Sequence, residues 1–199
     1  EKNTLVTTKC DGKVIDLENS INRGLHKSTV GIGHTRWATH GEPNKINAHP
    51  HMDSSEKFSL IHNGIIENHY SIKEYLISKG VEFKSDTDTE VLVQFISYIY
   101  DKEKVNFFDS VRLALKEVVG AYGIVVMNKE HPDTLIAARN GSPLIIGLSK
   151  DEKFVSSDVS AVLEHTRNIL YLEDGEIISL TNKEYMKSTV FLPGQKIDL

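Results

Sequence analysis

The chain has 199 residues, 39% hydrophobic and 26% charged, with 23 basic and 28 acidic side chains and a net charge of −5. That length suits one ordinary domain or at most two small ones, and the spread of apolar residues excludes a disordered chain. The acidic balance argues against a nucleic-acid binder that works by neutralising phosphates, no apolar run approaches the roughly 18 residues of a membrane-spanning helix, and the single cysteine, Cys10, excludes an intrachain disulfide.

Glu1 to Cys10 is polar at both ends, unlike a signal peptide, and a lone cysteine fits a reducing, cytoplasmic setting. Thr4 to Lys9 reads as a short strand closed by a Cys10-Asp11-Gly12 turn. Val14 to His26 is mixed and compatible with a helix. Val30 to Trp37 reads as a strand whose Gly31 and Gly33 leave room for a close neighbour. Ala38 to Asp53 is a long irregular segment, and such loops are often functional. Phe58 to Ile61 is a strand running into His62-Asn63-Gly64.

Three helices follow. Ser71 to Lys79 carries a Ser71/Glu74 capping box and stops at Gly80. Asp88 to Tyr100 places Val91, Leu92, Phe95, Ile96 and Ile99 on one face, with a second box at Thr87/Glu90. Phe108 to Val119 repeats the period and ends at Gly120. Then come short β-rich runs at Tyr122–Met127, Thr134–Ala138, Leu144–Gly147 and Phe154–Ser156. A brief helical turn is expected over Val159–His165. Leu170-Tyr171-Leu172 and Ile177-Ile178 read as a hairpin around Asp174-Gly175. Strands, consecutive helices and further antiparallel strands indicate an α+β fold, and no GxGxxG follows a strand, so a dinucleotide fold has no support.

Seven of the nine histidines fall between His26 and His69. Imidazole is a common metal ligand, but His49-x-His51 is interrupted by Pro50 and no HExxH or Cys/His cluster accompanies it, so no metal is assigned. Arg36 offers a planar fork of donors suited to a carboxylate, and the only tryptophan, Trp37, stands beside it; the alternative is a structural salt bridge. Thr87 supplies the cap of the second helix, which leaves the Asp88 carboxylate available to a cation such as a substrate ammonium; the alternative is a residue that only caps backbone amides. Arg36 and Asp88 together would clamp the two ends of an amino acid. Asn63-Gly64 offers a side-chain amide beside an unencumbered N–H, the elements of an oxyanion hole, or else a type I′ hairpin turn.

Gly33-His34-Thr35-Arg36-Trp37-Ala38-Thr39-His40-Gly41-Glu42-Pro43 resembles the glutamine-binding loop of the glutamine–fructose-6-phosphate aminotransferase (glucosamine-6-phosphate synthase) family. Asn47-Ala48-His49-Pro50-His51, His62-Asn63-Gly64-Ile65-Ile66-Glu67-Asn68 and Ser85-Asp86-Thr87-Asp88-Thr89-Glu90 follow in that family's order. Gly120-Ala121-Tyr122-Gly123, Arg139-Asn140-Gly141-Ser142-Pro143-Leu144, Ser156-Ser157-Asp158 and Tyr171-Leu172-Glu173-Asp174-Gly175-Glu176 continue it. The resemblance runs from about Val30 to Leu180. Related class II amidotransferases of purine synthesis share the layout but not the Arg-Trp-Ala-Thr-His-Gly-Glu-Pro string.

The resemblance implies one glutaminase domain over residues 1–199, of the N-terminal-nucleophile hydrolase type, a four-layer αββα sandwich with two antiparallel sheets. It implies a chain-terminal cysteine that attacks the side-chain amide of L-glutamine with its own α-amine as base, and no cofactor. The ammonia would serve a C-terminal isomerase domain that converts fructose 6-phosphate to glucosamine 6-phosphate in a homo-oligomeric enzyme. By motif, Arg36 would hold the substrate carboxylate and Asp88 its ammonium, while Asn63 and Gly64 would stabilise the oxyanion. Thr39, His40 and His49 would shape the pocket, with Trp37 on a closing loop. The family's opening Cys-Gly-Ile and its Arg-Gly-Tyr-Asp-Ser-Ala-Gly segment are not in this sequence, so a native N-terminal segment and the isomerase domain are expected to lie outside it. Cys10 sits in a strand and turn without a free amine and does not replace the nucleophile. The alternatives are the glutaminase domain of another class II amidotransferase, or a non-catalytic glutamine-binding module.

Overall fold

A computed structural model describes residues 4–21, 28–36 and 42–191. Six antiparallel strands form one sheet: β1 (His51–Met52), β2 (Phe58–Ile66), β3 (Gly120–Asn128), β4 (His131–Asn140), β8 (Glu176–Leu180) and β9 (Tyr185–Thr189), in the order β1-β2-β3-β4-β8-β9. A smaller sheet has the order β6-β5-β7, from β5 (Ile145–Leu148), β6 (Lys153–Ser156) and β7 (Ile169–Tyr171). Among the described residues four helices accompany them: α1 (Val14–Ser20), α2 (His69–Ser78), α3 (Asp88–Glu103) and α4 (Phe107–Glu117).

Strand alternation sorts the two faces of the large sheet. Phe58, Leu60 and Ile66 of β2 and Tyr122, Ile124 and Val126 of β3 pack with Ile72, Leu76, Val91, Leu92, Ile96, Val111 and Leu115 of α2, α3 and α4. On the other face Val125, Ala137, Ile178 and Leu180 meet Leu144, Ile146 and Leu172 of the small-sheet layer. Burying a side chain of this size contributes about 1.5–3 kcal/mol, so the α3 row Val91, Leu92, Phe95, Ile96 and Ile99 makes that helix the firmest part of its layer. On the far side of the small sheet, Val162 and Thr166 close over Gly147 of β5, just after a 3-10 turn at Val159–Ala161. The architecture is α+β with two stacked antiparallel sheets, as the sequence suggests.

Several local expectations are corrected. Residues 4–9 and 28–36 carry no strand, and the helix expected to reach His26 is observed over Val14–Ser20, with residues 22–27 outside the described set. Helix α2 begins at His69, so Ser71 is already helical and caps nothing. Asn68 instead bridges to the end of α4: its Nδ2 donates to Glu117 O at 2.7 Å and its Oδ1 accepts from Val119 N at 2.9 Å. Thr87 does cap α3, accepting from Glu90 N at 3.2 Å. The reciprocal half of that box is absent because Glu90 turns back to Lys84 N and Ser85 N, at 2.9 and 2.6 Å.

The expected hairpin around Asp174-Gly175 is a crossing between sheets. β7 pairs with β5, whereas β8 pairs with β4 and β9. Asp-Gly still makes the turn, with Gly175 at φ +79°, but Leu172 and Ile178 on either side of it both fill the space between the sheets. The turn is fastened to β4: Gly141 N donates to Asp174 Oδ1 and Gly175 N to Arg139 O, both at 2.8 Å, and Arg139 Nε lies 3.2 Å from Asp174.

Strand β2 continues through Asn63-Gly64 to Ile66, so this pair is neither a hairpin turn nor a strand end. Gly64 and Gly120, both at φ +125°, let β2 and β3 approach closely: a Cβ would lie 2.1 Å from Ala121 O at Gly64 and 2.2 Å from Ile65 O at Gly120. Gly80, at φ +86°, has open space where its Cβ would be. Gly80→Ala is therefore expected to cost only the backbone penalty, about 1–2 kcal/mol. Gly120→Ala adds a backbone collision and should cost at least about 3 kcal/mol. Urea unfolding of both variants measures the difference; equal losses would mean that the strands move apart freely here.

Candidate active site

Strand β2 and the start of α3 deliver the polar residues to one end of the sandwich. Strand alternation puts His62 on the helix-facing side, after Phe58 and Leu60, and Asn63 on the other. A cavity of about 510 Å³ opens there, bordered by the strip Gly33–Arg36, by His49, by His62–Gly64, by Thr87–Thr89 and by Ser157. Arg36, His49, Asn63, Gly64 and Asp88, which the sequence marks as candidates, all border this one cavity. Trp37, Thr39 and His40 lie outside the described residues.

Asp88 stands in the first turn of α3, where the helix N-terminus favours an anion. The sequence suggests a free carboxylate; instead Oδ2 accepts from Ile66 N at 2.9 Å and Oδ1 from Thr89 Oγ1 at 3.4 Å. Asp88 is 4% exposed, so what it presents to the cavity is one edge, aimed by those bonds. Arg36 Nη1 donates to Glu42 O at 3.1 Å, which anchors the guanidinium to the chain that follows its own strip.

Among the described residues four histidines line or back this cavity, and each is engaged with protein groups. His34 Nε2 lies 2.8 Å from Asn63 Oδ1. His49 Nε2 lies 3.0 Å from His62 O; a carbonyl only accepts, so His49 carries its proton on Nε2. His51 Nε2 reaches Asn47 O at 3.3 Å and Thr87 Oγ1 at 3.1 Å. His62 Nδ1 is 3.2 Å from Thr89 Oγ1 and 3.9 Å from Asp88. Burial, and the cost of charging it beside the other imidazoles His34, His51 and His62, pushes the His49 imidazole down to about 2, and burial with the Lys9 and Arg36 cations nearby pushes that of His51 to about 3. Burial also lowers His34 and His62, the latter against the pull of the Asp88 carboxylate. At neutral pH these are uncharged hydrogen-bonding groups. Among the described residues no three His, Cys, Asp or Glu side chains are grouped as metal ligands.

Sequence reasoning passed over His62 and Thr89 as residues of the site. The signal for His62 was present: a histidine at the third helix-facing position of a strand that otherwise buries Phe58 and Leu60. Cys10 borders a separate cavity of about 270 Å³ that shares His34, Thr35, Arg36 and His49 with the first.

The sequence matches the glutamine amidotransferase domain family over residues 20–192. It is 53% identical over 179 residues to a glutamine–fructose-6-phosphate aminotransferase [isomerizing] of Bacteroides thetaiotaomicron, an alignment covering 90% of this chain and 29% of that protein. The same-named protein of Clostridium acetobutylicum is 46% identical over 88% of this chain and 28% of its own length. The chain thus spans less than a third of these relatives. Among solved structures, the glutamine phosphoribosylpyrophosphate amidotransferase from B. subtilis superposes with a TM-score of 0.65 at 25% identity, over 80% of this chain and 34% of that one. The likeness places the fold among N-terminal-nucleophile hydrolases.

The buried histidines predict a specific acid sensitivity. Their folded pKa values lie below the roughly 6.5 of the unfolded chain, so the unfolded state binds more protons once the pH drops below that value. Stability is complete above about pH 6.5 and falls as pH decreases, His49 and His51 each adding up to about 1.4 kcal/mol per pH unit. Urea unfolding between pH 7 and pH 4.5 should show His49→Gln with a shallower slope than the parent by about one proton; an unchanged slope would place that imidazole in water.

Proposed function

This chain belongs to the glutamine amidotransferase domain family, and on that premise we propose that it is the glutaminase part of a glutamine–fructose-6-phosphate aminotransferase. The observation that supports the reading is the convergence of Arg36, Asp88 and Asn63-Gly64 on one cavity. L-Glutamine is the substrate that uses all three. Its α-carboxylate meets the Arg36 fork and its α-ammonium the Asp88 carboxylate. The side-chain amide then faces Asn63 and Gly64, with His49 beside them.

The nucleophile is a chain-terminal cysteine supplied by a segment preceding Glu1. Its thiol passes a proton to its own α-amine, and the sulfur attacks the amide carbon. The carbonyl oxygen becomes an oxyanion held by Asn63 Nδ2 and Gly64 N. Collapse breaks the C–N bond, the ammonium proton leaves with the nitrogen as ammonia, and a γ-glutamyl thioester remains. Water then hydrolyses the thioester to glutamate and free thiol. The ammonia is used by a C-terminal isomerase domain acting on fructose 6-phosphate, in a homo-oligomeric, cytoplasmic enzyme. The Arg36–Asp88 clamp confers substrate selection and the 63–64 corner confers rate.

Three variants of the full-length protein, assayed for glutamate release, test this. Asn63→Ala should lower kcat by about 10²–10³. Arg36→Ala should mainly raise KM, about tenfold or more, because the carboxylate it holds does not change during reaction. Cys10→Ser should leave hydrolysis unchanged. Loss of activity in Cys10→Ser, or a loss below tenfold in Asn63→Ala, would contradict the assignment. Tight glutamine binding with no hydrolysis in the full-length protein would instead identify a non-catalytic glutamine-binding module.

A further inference from the structure

Asn63 carries two groups of opposite sense, and only one of them can stabilise an oxyanion. Its Oδ1 lies 2.8 Å from His34 Nε2, its Nδ2 has no partner among the described residues, and the residue borders the cavity. If the amide were turned over, its oxygen would face the developing negative charge and repel it. The orientation therefore depends on which nitrogen of His34 carries the proton.

We propose that His34 is a positioning residue: its Nε2–H donates to Asn63 Oδ1 and thereby presents the Asn63 amide hydrogens to the reacting carbonyl. The inference rests on the oxyanion role proposed for Asn63. Three features of the site support it. First, His34 Nδ1 makes no hydrogen bond of good geometry, and of the two oxygens beside the ring, Asn63 Oδ1 acts on the imidazole more strongly than the His62 carbonyl does, so a proton on Nδ1 would be the worse placed of the two. Second, the ring is held in place by an edge contact with His49, centroids 4.3 Å apart at 66°, and His49 is itself pinned to the His62 carbonyl. The imidazole therefore has little freedom to exchange its nitrogens by rotation. Third, His34 and Arg36 share one strip of backbone, so the segment that holds the substrate carboxylate also sets the oxyanion donor. Placing that strip correctly assembles both halves of the site together.

The test compares single and double variants of the full-length protein in glutamine hydrolysis. His34→Ala should lower kcat about tenfold or more with KM changed less than about threefold, the pattern of a lost transition-state interaction. His34→Gln, whose amide N–H can stand where Nε2–H stood, should recover most of that loss. In an Asn63→Ala background, His34→Ala should cost nothing further, because the two residues act as one unit. Losses that multiply in the double variant, or equal losses in His34→Ala and His34→Gln, overturn the proposal. A large loss for Asn63→Ala with none for His34→Ala sinks this inference alone. A small loss for Asn63→Ala sinks the oxyanion reading and this one with it. Nitrogen-15 spectra of the histidine rings in the unmodified protein give a reading independent of activity: His34 should be the Nε2–H tautomer, and an Nδ1–H signal overturns the proposal.

Discussion

The bond from Ile66 N–H to the Asp88 carboxylate joins the helical layer to the polar end of the large sheet. Everything about the candidate site is measured from it. Helix α3 is held by its buried apolar row and its Thr87 cap, so Asp88 has a fixed address on the helix side. Ile66 is two residues beyond Gly64 on the same strand, so the bond also fixes how far β2 extends under the cavity. The carboxylate thereby stands at a set distance from the 63–64 corner without depending on the surrounding loops. The helix N-terminus adds its own preference for an anion at that place.

The electrostatic setting follows from what surrounds this bond. His34, His49, His51 and His62 are kept uncharged by burial, and each has at least one nitrogen held by a carbonyl, hydroxyl or amide oxygen. Among the described residues, Arg36 and Asp88 are then the formal charges that border the cavity. Neutral imidazoles screen far less than water would, so each of those charges acts more strongly on what enters. The proposed zwitterionic substrate is the complement of such a site.

Much of this was legible in the sequence, because it is local. The α3 and α4 faces and the Thr87 cap follow from spacing alone, as does the change from helical to strand period after Gly120. The candidate residues were legible because they fall in contiguous motifs, and Arg36, His49, Asn63, Gly64 and Asp88 do meet at one cavity. The Ser71 cap is a local misreading, since Asn68 takes that place, but the failures at the site and between the sheets are non-local. Asn63-Gly64 looks like a turn unless Ala121 O is known to press against it. The Asp174-Gly175 turn was visible, but the membership of β7 and β8 in different sheets was not. β9 has no alternating apolar signal and exists by pairing with β8. The role assigned to His34 depends on the position of one proton, which no sequence pattern records.

The crossing at Asp174-Gly175 has a mechanical consequence. Within a few residues the chain leaves one sheet and enters the other, and Arg139 and Gly141 tie that passage to the end of β4. The gap between the sheets is therefore gauged by hydrogen-bond lengths at this point, whereas elsewhere it is gauged by the bulk of Val125, Ile146 and Leu172. The sandwich behaves like a book with a bound spine: a larger or smaller side chain between the covers tilts them about that spine and leaves the spine itself unmoved.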